Sequence, residues 1–275
     1  MVENVELKNK NSEELVKIIN IVVNLLLYQA AFYIMFVILA NVLVYIGINK
    51  EIAKPYSKLI GEILAYIFFI KNYKKDNKYK LKLQNTLRFK GYIFIAMLFI
   101  GYILVYDNTI KIIVSKIVKN SLFYDIMTRE MKNPIVGFIT TVIIAPIFEE
   151  IIYRGIILDE LLDKYNYKKA IIISALVFAI VHFNFIQLTD AFIAGIILAA
   201  VYCKTKSLIP CITIHFLNNL FCNIVEFCPS ICNCKFNIIK LSIGLVILIT
   251  LAILLITTVI KIILYQIIDS NLMVN

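Results

Sequence analysis

Long apolar segments recur from one end of this chain to the other, and they limit it to folds that lie in a membrane. The first covers about residues 19–48 and the last about 237–268, whereas one membrane-spanning helix needs about 20 apolar residues. Hydrophobic residues make up 61% of the 275-residue chain, and its mean hydropathy is +0.87. The sequence therefore predicts an all-α, polytopic membrane helix bundle of about eight transmembrane helices.

The expected crossings are defined by these apolar segments. They cover approximately residues 19–48, 59–70, 91–106, 134–163, 170–185, 189–203, 208–227 and 237–268. We expect a short turn around Pro55 between the first two, and a kink at Pro146 inside the fourth, because proline removes a helical hydrogen bond. Residues 107–132 are amphipathic and are predicted to lie in the membrane interface.

The same pattern divides the chain into four regions. They are a cytoplasmic N-terminal segment (1–18), an N-terminal transmembrane region (19–133) with a basic loop (71–90), a core (134–227), and a C-terminal region (228–275) with a cysteine-containing loop and the last transmembrane helix. The first twenty residues mix acids with bases and lack the short basic region that begins a signal peptide. We therefore expect the first apolar segment to be retained as a membrane span.

The formal charge of +10 comes from 28 Lys and Arg against 18 Asp and Glu, and much of it lies in one stretch. Residues 71–90 hold one acid, Asp76, against basic side chains at positions 71, 74, 75, 78, 80, 82, 88 and 90. The positive-inside rule places this loop in the cytoplasm, beside anionic lipid headgroups. Eight crossings then put both termini in the cytoplasm. No recognition motif accompanies the basic stretch, so we expect no nucleic-acid partner.

Two adjacent glutamates and an arginine interrupt the fourth apolar segment. A charge near the middle of a membrane costs on the order of 3 kcal/mol, so Glu149, Glu150 and Arg154 are expected to face the bundle interior. Residues four apart share a helical face, which predicts an ion pair between Glu150 and Arg154. Glu149 lies about 100° round the helix, above Tyr153, and needs another partner. The alternative is a structural charge network that holds helices together.

The two histidines of the chain lie in later apolar segments, beside other polar groups. His182 follows Phe178 by four residues, and His215 precedes Asn219 by four. Taken singly, each histidine is typical of a hydrogen-bonded packing residue. Counted from Lys164, Lys169 and Lys206, Glu149 lies 15 residues in, His182 13, His215 9 and Asn219 13. At about 1.5 Å per residue these depths agree within about 9 Å, which predicts that three spans bring these groups together.

In this order and spacing, the polar residues resemble the three signature motifs of the CPBP family of intramembrane proteases. The motifs are Glu149-Glu150-x-x-x-Arg154, Phe178-x-x-x-His182 and His215-x-x-x-Asn219. The family includes type II CAAX prenyl endopeptidases and bacterial proteins linked to bacteriocin self-immunity. The resemblance implies a membrane hydrolase, an intramembrane endopeptidase whose substrate is a membrane-associated peptide or a lipidated protein tail.

The resemblance also implies catalytic roles. Glu149 is expected to be the general base that activates water, and His182 to hold and polarise that water. His215 and Asn219 are expected to donate hydrogen bonds to the oxyanion that develops on the peptide carbonyl.

Three neighbours of the general base are expected to support it. Glu150 and Arg154 are assigned a structural role, and Tyr153 is expected to orient the base or to pack beside it.

The use of a metal is open at this point. Two histidines, a glutamate and an asparagine can make a zinc site with an open position, with His182 and His215 as ligands. The sequence has no His-Glu-x-x-His motif. We favour a metal-free water activated by Glu149 and His182, so no cofactor is expected and zinc is the alternative.

Six cysteines need a separate interpretation. A cluster at and after the seventh segment, on the side placed outside the cytoplasm, suits a disulfide or a metal site and consists of Cys222, Cys228, Cys232 and Cys234. Cys203 and Cys211 flank a short cytoplasmic loop and are expected to be unpaired. No spacing ties a cysteine to either histidine, so a cysteine nucleophile is the weaker hypothesis.

Two classes of function fit these observations. The first is an intramembrane endopeptidase; the second is a non-catalytic membrane partner, such as an immunity or transport protein, in which the same polar cluster is structural. We find no convincing internal repeat of the kind that marks many transporters. The richness in Ile, Lys and Asn and the absence of Trp indicate a bacterial cell membrane, where peptide maturation or self-immunity is expected.

Overall fold

The structure is a computed structural model that describes residues 2–77, 80–84, 87–117, 133–182, 185–227, 237–251 and 253–254. Within these ranges the chain is helical and contains no strand, which confirms the predicted fold class. In chain order the helices are α1 (Val2–Tyr45), α2 (Lys50–Asn77), α3 (Phe89–Asp107), α4 (Ile110–Ile117), α5 (Pro134–Leu162), α6 (Tyr167–Ile180), α7 (Phe185–Thr205), α8 (Leu208–Phe227) and α9 (Ile238–Leu251).

Among the described residues, four helical stretches are long and apolar enough to cross a membrane. They are Leu15–Tyr45 in α1, Phe89–Ile117 across α3 and α4, Pro134–Leu162 and Phe185–Thr205. The side chains of Leu27, Ile34 and Ile38 on α1 are 61%, 59% and 60% exposed, as expected for a surface that faces lipid. The chain is thus a polytopic helical membrane protein. The remaining helices are shorter or less apolar, and the total of eight crossings stays a prediction.

The chain divides into two compact units, and the predicted site lies in the first. The first unit comprises Met1–Thr86 and Asn120–Phe227, and the second comprises Leu87–Lys119 and Cys228–Asn275. In the second unit α3 and α9 cross closely at two glycines. A Cβ added at Gly244 would lie 3.0 Å from the carbonyl oxygen of Gly101, so a larger residue at this crossing would push the two helices apart.

Two predicted features of the N-terminal region differ from the structure. The turn between α1 and α2 lies at Gly47, whose φ of 98° suits a residue without a side chain. Pro55 lies inside α2, so the turn predicted at this residue is wrong. Close to the start of the helix, proline removes a single hydrogen bond and leaves the helix intact. The basic stretch at 71–90 is also only partly a loop, because α2 continues to Asn77.

Helix α5 has an unusual backbone that positions the charged residues. It begins where predicted, with Asn133 capping the N–H of Val136 at 3.1 Å and Pro134 in the first turn. It is π-helical over Ile139–Ile144 and Glu150–Leu158, on both sides of a short α-helical turn that contains Pro146. Single π-helical turns occur often at functional sites.

Two predicted segments extend beyond the described residues. Helix α4 covers only the first part of the predicted interfacial segment 107–132, and residues 118–132 lie outside the described ranges. The last predicted span, 237–268, is described as helix over Ile238–Leu251, and residues 255–275 lie outside these ranges.

Candidate active site

The predicted ion pair between Glu150 and Arg154 is confirmed. The Arg154 Nη1 lies 2.8 Å from Glu150 Oε1, and the two side chains are 1% and 0% exposed. The guanidinium also donates to the carbonyl oxygen of Gly195 on α7 at 3.4 Å and lies over the ring of Phe178, 4.5 Å from its centroid. A buried charge is tolerated when it is paired and hydrogen-bonded. The pair therefore links α5 to α6 and α7 in the interior of the first unit.

His215 lies between the two adjacent glutamates. Its Nδ1 is 2.7 Å from Glu150 Oε1, and its Nε2 is 3.8 Å from Glu149 Oε2. Because a carboxylate only accepts hydrogen bonds, the Nδ1 must carry a proton and donate it to Glu150. In the neutral imidazole the Nε2 then has its lone pair directed to the Glu149 side. Glu149 is 19% exposed and is therefore accessible, unlike its neighbour Glu150.

The aromatic ring of Phe178 brings several of the predicted residues together. It makes edge-on contacts with Tyr153, His182 and His215, at centroid distances of 5.0, 5.0 and 6.0 Å. The approach of α6 to α7 depends on Gly195, where a Cβ would lie 3.2 Å from the Cα of Ala175 and 3.3 Å from the Phe178 ring. The Phe178 of the second motif is thus the packing centre of the site.

His182 lies at the end of α6 and is held by its own helix. Its Nδ1 is 2.8 Å from the carbonyl oxygen of Phe178, so this nitrogen is the donor and Nε2 is left with the lone pair. Among the described residues, no direct hydrogen bond or ion pair joins His182 to Glu149. The imidazole that directly approaches both glutamates is therefore that of His215.

Asn219 lies one turn beyond His215 on α8 and connects this helix to the first π-helical segment of α5. Its Nδ2 donates to the carbonyl oxygen of Thr141 at 2.8 Å, and its Oδ1 accepts a hydrogen bond from Asn218 at 3.3 Å. Asn223, the next residue on this face, donates to the Thr141 hydroxyl at 3.1 Å. An amide NH₂ has two hydrogens, so one N–H of Asn219 remains for a further acceptor.

Helix α2 contributes two residues that the sequence motifs do not contain. The ring of Tyr66 stacks on that of Phe148, the residue before Glu149, with 4.9 Å between centroids and an interplanar angle of 8°. Tyr66 is 5% exposed, and Glu62, one turn earlier on the same helix, interacts electrostatically with Glu149. The only sequence indication of this role was a glutamate within an apolar stretch, since no motif spacing connects α2 to α5.

Two of the cysteines, Cys203 and Cys211, lie in the helices α7 and α8. The thiols of Cys203 and Cys211 are free, as predicted. Cys211 is buried, with its sulfur 3.6 Å from the carbonyl oxygen of Leu198. Cys228, Cys232 and Cys234 lie outside the described residues.

The arrangement of the possible zinc ligands, Glu149, His182, His215 and Asn219, does not fit a zinc site. Zinc needs three or four ligands at about 2.0–2.3 Å from a common centre. In the part of the chain that the structure describes, no group of three or more His, Cys, Asp or Glu side chains is placed to hold a metal. The Nδ1 of His215 is also occupied by Glu150, so only its Nε2 could act as a ligand.

A helical membrane protein in which an imidazole lies between a buried and an accessible carboxylate has the features of a membrane hydrolase, and comparison with known proteins agrees. Residues 131–221 match the family described as "Type II CAAX prenyl endopeptidase Rce1-like". The chain is 32% identical over 190 residues to the membrane-embedded CAAX protease MroQ of Staphylococcus aureus (strain USA300), a match that covers 64% of this chain and 76% of MroQ.

A second relative matches a shorter part of the chain. The chain is 36% identical over 91 residues to YdiL of Bacillus subtilis (strain 168), described as a candidate membrane peptidase, and this match covers 33% of the chain and 37% of YdiL. No solved structure matches the chain significantly. The extent of the match to MroQ shows that this chain belongs to the family of membrane-embedded CAAX proteases.

Proposed function

We propose that this chain is an intramembrane endopeptidase in which Glu149 activates a water molecule for attack on a peptide bond. The substrate is a membrane-associated peptide or a lipidated protein tail. The observation that carries the proposal is the position of His215 between Glu149 and Glu150. Two acceptor atoms 3.8 Å apart, Glu149 Oε2 and His215 Nε2, are spaced so that one water can donate a hydrogen bond of about 2.8 Å to each.

A water held in this way has both hydrogens engaged and its oxygen lone pairs available. As its oxygen bonds to the carbonyl carbon, one proton moves to the Glu149 carboxylate and negative charge develops on the carbonyl oxygen. The remaining N–H of Asn219 is our proposed donor to that oxyanion, and His182 remains a proposed partner of the water or the oxyanion. The protonated Glu149 then gives its proton to the leaving amine as the C–N bond breaks.

The orientation of His215 favours a different role from the one expected at first. Donation to the oxyanion through Nε2 requires a proton on that nitrogen, whereas the contact with Glu150 fixes the proton of the neutral ring on Nδ1. We therefore propose that His215 holds the water together with Glu149. Glu150 orients this imidazole, and Arg154 balances the charge of Glu150.

The site should be tested first by finding what the protein cuts. Membranes from cells that contain the wild-type protein are compared with membranes that contain Glu149→Gln, and the short membrane peptides in each are identified by mass spectrometry. Peptides that require Glu149 for their appearance are the expected products. Glu160→Gln, which changes a glutamate on the same helix outside the site, is the matched control and should give the wild-type peptides.

The alternative function, a non-catalytic membrane partner, predicts a different result. If the peptide sets of wild-type and Glu149→Gln membranes are the same, the polar cluster is structural and the protease proposal is wrong. A metal is tested with the uncleaved precursors of those peptides as substrates. Activity of the purified protein that survives a chelator supports the metal-free water, and activity that is lost and then restored by zinc contradicts it.

A further inference from the structure

A polar cavity lies between α1 and α2, away from Glu149. Its volume is about 650 Å³. From α1 the polar lining residues are Lys17, Asn20, Asn24 and Tyr28, and from α2 they are Asn72, Tyr73 and Lys75. The α1 residues follow one another at helical spacing, so they form a polar stripe on Leu15–Tyr45, the largely apolar part of that helix. Such a stripe needs polar contacts when it lies in or near a membrane.

Three of the lining side chains have no polar partner within the part of the chain that the structure describes. Asn20, Asn24 and Lys75 make no hydrogen bond or ion pair with any described residue, whereas Asn72 donates to the Tyr28 hydroxyl. All three side chains are exposed, so their N–H groups are accessible to a ligand. The cavity therefore offers amide donors and one ammonium group to a ligand that supplies acceptor oxygens.

One end of the cavity lies where the candidate membrane span Leu15–Tyr45 begins, which is the level expected for lipid headgroups. Lys17 is paired with Glu160, and the Tyr73 hydroxyl donates to the same carboxylate at 2.5 Å. Glu160 lies near the end of α5, beyond the apolar part of that helix. The cavity thus lies at the end of α2 that carries Lys71, Lys74 and Lys75, where lipid phosphates are expected.

The charge of the lining selects an anion. Glu160 compensates Lys17, so Lys75 contributes a positive charge that no described residue compensates. Val16, Ile21 and Phe69 supply an apolar side to the same cavity. Phosphate oxygens on one side and hydrocarbon on the other are the chemistry of a phospholipid headgroup with the start of its acyl chains. Basic pockets between membrane helices on the cytoplasmic side are known to bind such headgroups.

We propose that the cavity between α1 and α2 binds the phosphate headgroup of an anionic phospholipid, with Lys75 as the cationic contact and Asn20 and Asn24 as amide donors. The site is separate from the proposed active site. The residues that line it do not include Glu149, His182, His215 or Asn219. The proposal depends on the membrane location of the chain and not on its proteolytic activity.

The test measures lipid retention by the full-length protein. The purified protein is equilibrated with phosphatidylglycerol, phosphatidylcholine or inorganic phosphate, and bound molecules are counted by native mass spectrometry. The protein is expected to retain phosphatidylglycerol at least tenfold better than phosphatidylcholine. Equal retention of the two lipids contradicts the proposal. Retention of inorganic phosphate with no preference between lipids identifies a free-phosphate site and also overturns it.

Variants assign the binding to this cavity. Lys75→Gln should weaken binding of phosphatidylglycerol about fivefold, the effect expected of one lysine at a membrane surface. Lys71→Gln is the matched control, because Lys71 lies one turn earlier on α2, is exposed and does not line the cavity. Its effect should be less than twofold, and equal losses in the two variants would show non-specific surface attraction. Asn24→Leu changes no charge and should also weaken binding; unchanged binding would exclude the cavity.

Discussion

The Nδ1 of His215 lies 2.7 Å from Oε1 of Glu150, the same carboxylate oxygen that Arg154 approaches at 2.8 Å. One oxygen atom thus accepts hydrogen bonds from both a guanidinium and an imidazole. The three side chains come from α5 and α8, so this single atom links two helices and fixes the orientation of the ring that approaches Glu149. Charge-assisted hydrogen bonds of this kind are stronger than neutral ones.

Loss of the Glu150 carboxylate should destabilise the protein. In Glu150→Gln the buried Arg154 keeps its charge but loses its counterion, and breaking a buried ion pair from one side costs about 3–5 kcal/mol. Thermal unfolding in one detergent measures the effect. Glu160→Gln breaks the more exposed pair with Lys17 and should lower stability by less than about 1 kcal/mol. Equal stability of the two variants would show that the buried cluster does not hold these helices together.

Asn219 should contribute to catalysis more than its neighbour Asn223. Both residues are tied to Thr141, one to its carbonyl oxygen and one to its hydroxyl. If the second N–H of Asn219 binds the oxyanion, Asn219→Ala lowers kcat about 10²–10³-fold with little change in KM. Asn223→Ala removes only a structural contact and should retain a kcat close to wild type. Similar losses in both variants would assign Asn219 to packing.

Tyr66 should support Glu149 through its ring. Tyr66→Phe keeps the stacking on Phe148, so the thermal stability and cleavage rate should change little. Tyr66→Ala removes a buried aromatic ring, which typically costs about 3–5 kcal/mol, and should lower kcat by displacing the residue before Glu149. Comparison of the unfolding temperature and kcat of the two variants tests this. A large loss of kcat in Tyr66→Phe would instead show that the hydroxyl is needed.

A methyl group at Gly195 should disturb the packing around Phe178. The added Cβ would lie 3.2–3.3 Å from Ala175 and Phe178, closer than ordinary van der Waals contact. Overpacking of this kind costs about 1–3 kcal/mol. Gly195→Ala should therefore lower the unfolding temperature and also shift the ring that contacts both histidines. Ala194→Gly, at the adjacent position, removes a methyl group instead and controls for substitution in this helix. Unchanged stability in Gly195→Ala would contradict the close helix contact.

The sequence allowed prediction of the interactions that depend on local geometry. The pair of Glu150 and Arg154 follows from a spacing of four on one helix, and the start of α5 follows from Asn133 and Pro134. The helical membrane fold follows from the apolar segments, because lipid allows few other folds. These features need no knowledge of how distant segments pack.

The contacts between helices could not be predicted in the same way. Motif spacing placed His215 near the glutamates, but it could not show which ring nitrogen faces which carboxylate. The stacking of Tyr66 on Phe148 joins segments with no shared motif. The turn expected at Pro55 was wrong because a proline near a helix start costs little, and the real turn uses Gly47. The π-helical parts of α5 have no pattern that distinguishes them from an ordinary helix.

The most direct test of the central claim is a single-turnover cleavage rate. The purified protein in lipid nanodiscs cuts the precursor of one of the product peptides identified by mass spectrometry. Wild type, Glu149→Gln and Glu160→Gln are compared at equal folded concentration. If Glu149 is the general base, Glu149→Gln loses about 10²–10⁴-fold in rate, whereas Glu160→Gln stays within about twofold of wild type. A Glu149→Gln protein that cuts the peptide at the wild-type rate would contradict the account.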